Sequence, residues 1–347
     1  MVRESREERV TLPTVVEFVA ALVAILLGAA FFTNAVEILG SRLGMQQGAV
    51  GSLLAAVGTA LPESMIAVVA ILEPVFGRGA GHGAEIGVGA ILGAPFMLAT
   101  LAFFVVGVSA LAFGRRRSQG ASLEVDEAMI GRDVGYFLIF FAVAAAVGML
   151  ALPLYLKVVV AVLLVGGYVR YVRLTLGSGG HLEEVPERLL LLPGRPNPSP
   201  FAATAQALVS LAVIVAGAHF FVDAVEHAAE GLGLPAGLIA LVLAPLATEL
   251  PEKFNSIFWL AEGKDTLAMG NITGAMIFQS TIPVTFGILF TPWTLGALDL
   301  FAVALGLVSG ALVYLLIWRS GKLGARSLLA GGAFYLAFVA GAVLAVT

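Results

Sequence analysis

The chain has 347 residues, of which 59% are hydrophobic and only 12% charged, with a formal net charge of -4. Soluble domains carry about a quarter charged residues, so this balance excludes a soluble globular protein and points to an integral membrane protein. The absence of cysteine further excludes disulfides, thiolate metal sites and cysteine nucleophiles.

Apolar runs long enough to cross a hydrocarbon core of about 30 Å fall at 14–38, 46–72, 84–113, 133–150 and 153–173. A polar connector, 174–200, follows. Five more runs lie at 201–229, 236–261, 266–290, 294–317 and 324–346. The apolar run near the start is too long for the core of a signal peptide, so no cleaved leader is expected. An odd number of spans per half turns the second half upside down relative to the first. The expected fold is therefore an all-α membrane protein of ten transmembrane helices in two inverted five-helix repeats, 1–173 and 201–347, joined by the connector.

The basic residues orient it. Arg42, Arg115, Arg116, Arg117, Arg132, Arg170, Arg173, Arg188, Arg195, Lys264, Arg319, Lys322 and Arg326 fall at one set of span ends. The other set holds Arg3, Arg6, Arg9 and Arg78. By the positive-inside rule the connector is cytoplasmic and both termini face outward. The expected location is the plasma (inner) membrane, with Arg115 to Arg117 as a topology anchor.

The two halves are related in sequence. Phe31 to Glu63 aligns with Phe220 to Glu252 at a constant offset of 189, with fourteen identities in 33 positions and no gap. The match resumes at Gly89-Ala-Ile-Leu-Gly-Ala94 and Gly270-Asn-Ile-Thr-Gly-Ala275. Shared apolar composition does not place Thr-x-Leu-Pro-Glu at the same point of both halves, so the chain is read as a duplication.

Pro62-Glu63 and Pro251-Glu252 stand in the middle of otherwise apolar spans. Proline lacks an N–H and clashes with the carbonyl four residues back, so each helix is expected to break near Leu61 and Leu250, freeing carbonyls of Gly58, Thr59, Ala247 and Thr248. A carboxylate at mid-membrane costs about 2.5 kcal/mol or more. Two at equivalent places in inverted repeats would converge near a pseudo-twofold axis, and with carbonyl and threonine oxygens they suit a hard cation such as Ca²⁺.

These residues carry a resemblance. Gly58-Thr-Ala-Leu-Pro-Glu63 and Ala247-Thr-Glu-Leu-Pro-Glu252, each followed by its Gly-rich helix, resemble the two alpha-repeats of the calcium/cation antiporter superfamily, the sodium/calcium exchangers and their relatives. The repeats fall at about 46–113 and 236–290. The resemblance implies exchange of Ca²⁺ for another cation by alternating access, with Glu63 and Glu252 as ion-binding glutamates and Thr59 and Thr248 lining the site. The chain departs from the family at Ala60 and Glu249, where a second hydroxyl is common. It departs again at Gly93-Ala94-Pro95 and Gly274-Ala275-Met276, where Gly-Ser-Asn or Gly-Ser-Asp is common. The counter-ion is accordingly Na⁺ or H⁺, and Asn271, Thr273 and Gln279 are either replacement ligands or interhelical hydrogen-bonding groups.

Glu249 and Lys253 are spaced i,i+4 and are expected to pair, leaving Glu252 for the ion. His219, Asp223 and His227 share a face of the sixth span, and Gly28, Gly40, Gly217 and Gly231 allow close packing or bending of the first and sixth. A transport-inactive membrane sensor or scaffold is the alternative reading. An intramembrane metal-dependent enzyme is a further one, and no His-Glu-x-x-His pattern supports it. A transporter rather than an enzyme is expected, without organic cofactor. Its partners are inorganic cations and the lipid bilayer, with no nucleic acid; the oligomeric state is left open.

Overall fold

The computed structural model describes residues 12–42, 60–73, 81–117, 120–150, 152–177, 188–194, 197–320 and 323–346. In chain order the helices are α1 (Leu12–Arg42), α2 (Leu61–Leu72), α3 (Gly83–Met97), α4 (Phe103–Phe113), α5 (Glu127–Leu150), α6 (Leu154–Gly177), α7 (Pro200–Leu232), α8 (Ala236–Ala261), α9 (Asp265–Gln279), α10 (Ile282–Phe290), α11 (Ala297–Ser320), α12 (Ala325–Leu328) and α13 (Ala330–Val346). The fold is all-helical apart from a two-residue antiparallel pairing of β1 (Ser122–Leu123) with β2 (Leu323–Gly324). Among the described residues, eight helical segments are long and apolar enough to cross a membrane, and Leu61–Leu72 and Ala236–Glu249 are shorter apolar stretches.

Lipid-facing surfaces are visible as exposed apolar stripes. Val15, Val16, Val19, Val23 and Leu27 on α1 and Val158, Val159, Val162 and Leu163 on α6 are exposed, which a water-facing helix would not sustain.

α1 lies along α7, and their crossing is reciprocal under the 189-residue offset. A Cβ on Gly28 would lie 2.8 Å from Ile214 Cγ1 and 3.2 Å from the Ser210 carbonyl; on Gly217 it would lie 2.8 Å from Ile25 Cγ1 and 3.1 Å from the Ala21 carbonyl. Each contact maps onto the other when 189 is added to one set of residues. Phe18 and Phe221 add a ring contact at 4.9 Å. A polar clamp ties this pair to the connector: Asn34 donates to the Arg188 carbonyl at 3.1 Å and accepts from Leu190 N at 3.0 Å. Gln206 accepts from Leu191 N at 3.1 Å and donates to the Phe31 carbonyl at 2.8 Å and Asn34 Oδ1 at 2.9 Å.

α3 is the centre of the rest, buried from Ile86 to Met97 and packed on α2, α8 and α11. Gly89 and Gly93 face the carbonyls of Gly237 and Leu241, where a Cβ would come within 2.2 and 2.1 Å of the oxygens. Pro245 cannot donate to the Leu241 carbonyl, and Gly93 lets the α3 backbone come close to that oxygen. α5 packs on α9 and α11, and α6 on α10.

Two interruptions were not expected from sequence. α3 passes into α4 through a π-helical turn, Leu98–Ala102, three residues beyond Pro95. The misaligned carbonyls of this stretch find side-chain donors: Thr100 bonds the Phe96 carbonyl at 2.7 Å and Ser309 of α11 the Ala99 carbonyl at 2.5 Å. The 266–290 run is broken between α9 and α10 at Ser280 and Thr281, whose hydroxyls fold back on the Ile277 carbonyl at 3.1 and 2.7 Å. Conversely, the expected break at Leu250 is absent. α8 runs through Pro251 to Ala261, because a proline's φ is already helical and it costs one hydrogen bond, a loss that a helix packed against neighbours tolerates.

Candidate functional site

Glu63 owes its setting to the start of α2. Ala60, at φ -87° and ψ 0°, precedes the helix, and Pro62 stands in its first turn, where a missing N–H is harmless because those amides have no intrahelical acceptor. Glu63 is thus at the positive end of the helix dipole, and it is 3% exposed. Ser64 donates to the Ala60 carbonyl at 2.8 Å. The 12 residues of α2 make it about 18 Å long, little more than half of a roughly 30 Å core.

α8 packs against α2, and both pack against α3. Near the middle of α8, Thr248 and Glu249 are buried. Thr248 donates to the Ala244 carbonyl at 2.8 Å, which leaves its oxygen lone pairs as potential ligands. Glu249 Oε1 receives Gln279 Nε2 at 3.5 Å, linking α8 to the last residue of α9. Asn271 Nδ2 donates to Ser256 Oγ at 3.4 Å, and Ser256 donates to the Ala268 carbonyl at 3.3 Å. Asn271 and Gln279 are about 80° apart around α9, and both meet α8. Thr273, about 200° from Asn271, points the other way and donates to Asp133 Oδ2 on α5 at 3.0 Å. It is therefore an interhelical hydrogen-bonding group.

The structure brings Glu63, Thr248 and Glu249 onto two packed helices, while Asn271 meets α8 about two turns further along, at Ser256. Thr59 and the side chains of Glu252 and Lys253 lie outside the described residues, as does the expected Glu249–Lys253 pairing. α2 also borders an apolar cavity of about 450 Å³ lined by residues including Leu61, Ser64, Val68, Tyr168, Phe278 and Phe286. With no charged residue in its lining, this cavity is a poor place for a bare cation.

Several buried polar groups were missed in sequence. Asp133 is 0% exposed and also faces Arg132 at 3.4 Å, with the Arg132 guanidinium over the Tyr171 ring at 5.6 Å. Its only sequence signal is an acid at the edge of an apolar run. Arg117, expected as a topology anchor, is buried in an ion pair with Asp265, and Asp265 also accepts from Glu124 N at 2.8 Å. Lys157 gives its ammonium to the Pro292 carbonyl at 2.7 Å. The His219 face of α7 divides: His219 Nδ1 lies 3.0 Å from Glu73 Oε1 at the end of α2, whereas His227 Nδ1 meets the Asp223 carbonyl at 2.7 Å. Among the described residues no group of three or more His, Asp or Glu forms a metal cluster.

Known proteins resemble this chain in sequence and in fold. The family profile described as "Sodium/calcium exchanger protein" matches residues 14–177 and 202–346. The putative antiporter CaxA of Alkalimonas amylolytica is 29% identical over 182 residues, 51% of this chain and 56% of that protein. The sodium/calcium exchanger MaX1 of Methanosarcina acetivorans is 29% identical over 114 residues, 33% of each chain. The matches thus span about half and a third of these relatives' lengths. Among solved structures, the H⁺/Ca²⁺ exchanger CAX superposes with a TM-score of 0.70 at 17% identity, covering 95% of this chain and 82% of that one. The sodium-calcium exchanger NCX_Mj superposes with a TM-score of 0.58 at 22% identity, covering 95% and 98%. These structural likenesses show a common fold, and the profile match over both halves settles the membership: this chain belongs to the sodium/calcium exchanger family.

Proposed function

We propose that the chain is a secondary-active cation antiporter that exchanges Ca²⁺ for Na⁺ or H⁺ by alternating access. The observation that carries this reading is the buried Glu63 in the first turn of α2, a helix packed against α8, which holds the buried Thr248 and Glu249 near its middle. In the proposed architecture, ten spans form two inverted repeats with both termini outside and the connector cytoplasmic; the reciprocal Gly28 and Gly217 contacts support it.

Glu63 and Glu252 supply carboxylate oxygens, Thr59 and Thr248 hydroxyl or carbonyl oxygens, and Glu249 and Asn271 complete the set from the α8–α9 side. A hard cation takes six to eight such oxygens. The cargo ions are the substrates, and no resident cofactor is invoked. α1 and α7, packed as a pair, move against the core formed around α3 to expose the site to one side and then the other. An occupied site is electrically compensated and crosses; an empty, charged one does not cross easily. Exchange rather than leak follows from that rule.

The test is Ca²⁺ uptake into proteoliposomes of the purified protein under an imposed Na⁺ gradient and, separately, an imposed pH gradient. Uptake driven by either supports antiport and names the counter-ion. Absence of both, with folded protein, refutes it.

A further inference from the structure

The contact between Glu73 and His219 joins two bodies that the exchange cycle must separate. Glu73 follows Leu72 at the end of α2 and is 2% exposed. Its Oε1 lies 3.0 Å from Nδ1 of His219, whose side chain is 25% exposed. α2 belongs to the core that carries Glu63. α7 belongs to the pair locked to α1 through Gly28 and Gly217. On α2, Glu63, Ile66, Ala70 and Glu73 are all buried and fall within about 80° of one another around the helix. The contact therefore sits on the same face as Glu63, about 15 Å along the helix, toward the side that the arginine distribution places outside.

We propose that Glu73 and His219 form a proton-operated latch on the outer opening of the site; the inference rests on the exchange reading above. With His219 protonated, the contact is a charge-assisted pair that holds α7 against α2. A charge-assisted hydrogen bond is about twice as strong as a neutral one. With a neutral imidazole the hold weakens and the outer side opens more readily. Histidine is the side chain suited to this duty between about pH 5 and 8.

Other titratable groups near this face come from each neighbouring element. α7 adds Asp223 one turn beyond His219, then Glu226 and His227. α1 adds Glu17, beside the Phe18 that meets Phe221, and α3 adds Glu85, whose carbonyl approaches Gly237. α2 has only Glu63 besides Glu73, and α8 has none before Glu249. Among the described contacts Glu73 is the carboxylate that meets the His219 imidazole, at 3.0 Å, so substitutions at these two positions address the latch directly.

The experiment is Ca²⁺/Ca²⁺ exchange in proteoliposomes at equal pH inside and out, at pH 6 and pH 8, for the wild type, His219→Gln, His219→Arg and the double variant His219→Arg with Glu73→Gln. The latch predicts that His219→Gln exchanges roughly fivefold faster than the wild type at pH 6 and about equally at pH 8, the step from a neutral to a charged hydrogen bond. It predicts that His219→Arg is slow at both pH values and that adding Glu73→Gln restores its rate. A wild-type pH profile in all three variants overturns it.

A second readout stands apart from transport. The chain has no cysteine, so spin labels at Phe220→Cys on α7 and Leu150→Cys at the end of α5, both exposed positions, report the distance between the two bodies. A distance distribution that shifts between pH 6 and 8 and ceases to do so in His219→Gln supports the latch even if exchange itself fails. A distribution unmoved by pH overturns it while leaving antiport standing.

Discussion

Gly93→Ala should disable the site without touching it. A Cβ on Gly93 would lie 2.1 Å from the Leu241 carbonyl oxygen and 2.8 Å from Pro245 Cγ, where ordinary contact begins at 3.4 Å. Neither obstacle is a flexible side-chain tip: one is backbone and the other a proline ring. Relief therefore requires α3 and α8 to separate by about 1.3 Å, with an overpacking cost of about 1–3 kcal/mol. Thr248 and Glu249 ride on α8 two turns further along, while Ca²⁺–oxygen distances span only about 2.3–2.6 Å. A shift of that size should lower Ca²⁺ flux at least tenfold.

Gly89→Ala, with its Cβ 2.2 Å from the Gly237 carbonyl, demands nearly the same displacement one turn away. The double variant should therefore cost about as much as either single one, well short of the sum expected of independent sites. Gly166→Ala is the control. Nothing lies within 4 Å of its Cβ, and a glycine-to-alanine change in a helix interior should stabilise by up to about 1 kcal/mol. The assay is the thermal unfolding midpoint of purified protein together with proteoliposome flux. A Gly93→Ala protein with wild-type midpoint and flux would refute the packing argument.

Arg117→Met should destabilise by about 3–5 kcal/mol, because Asp265 is left buried without its cation; adding Asp265→Leu should return most of the loss in denaturation midpoint, and a double variant as poor as the single one contradicts this. Asp133→Leu should cost more than Asp133→Asn, which keeps an acceptor for Thr273, with a gap of about 1–3 kcal/mol read in the same assay; equal midpoints would mean that the Thr273 bond has no net worth. Asn34→Ala and Gln206→Ala, whose side chains share the clamp on the connector, should show a coupling of about 0.5–3 kcal/mol in a double-mutant cycle, and strict additivity would deny the network.

Much of the fold was readable because apolar length and duplication are written along the chain. α8 occupies 236–261 as expected, and most ends of the other described helices fall within a few residues of the expected runs. α5 begins at Glu127, six residues before its apolar run, because Asp133 is satisfied by Thr273 and Arg132 and so can lie inside. That satisfaction comes from a helix 140 positions away, a relation that no local pattern encodes.

The π turn after Pro95 was invisible for the same reason, its Ala99 carbonyl being answered by Ser309 from α11. The break at Ser280 is instead satisfied locally, by hydroxyls that fold back on the Ile277 carbonyl. Proline was over-read at one of its two positions: Pro62 does stand at a helix start, but Pro251 lies within α8. Of the candidate site, Glu63, Thr248 and Glu249 are buried on packed helices, while Thr273 is turned toward α5. Helical phase separates Thr273 from Asn271, and the partner across each face decided which of the two meets α8.

The most direct test of antiport at this site is uptake of radiolabelled Ca²⁺ into vesicles preloaded with unlabelled Ca²⁺, for the wild type, Glu63→Gln and Glu252→Gln. The account predicts uptake accelerated by internal Ca²⁺ in the wild type and none above empty vesicles in either variant. Wild-type uptake in folded Glu63→Gln protein would contradict it.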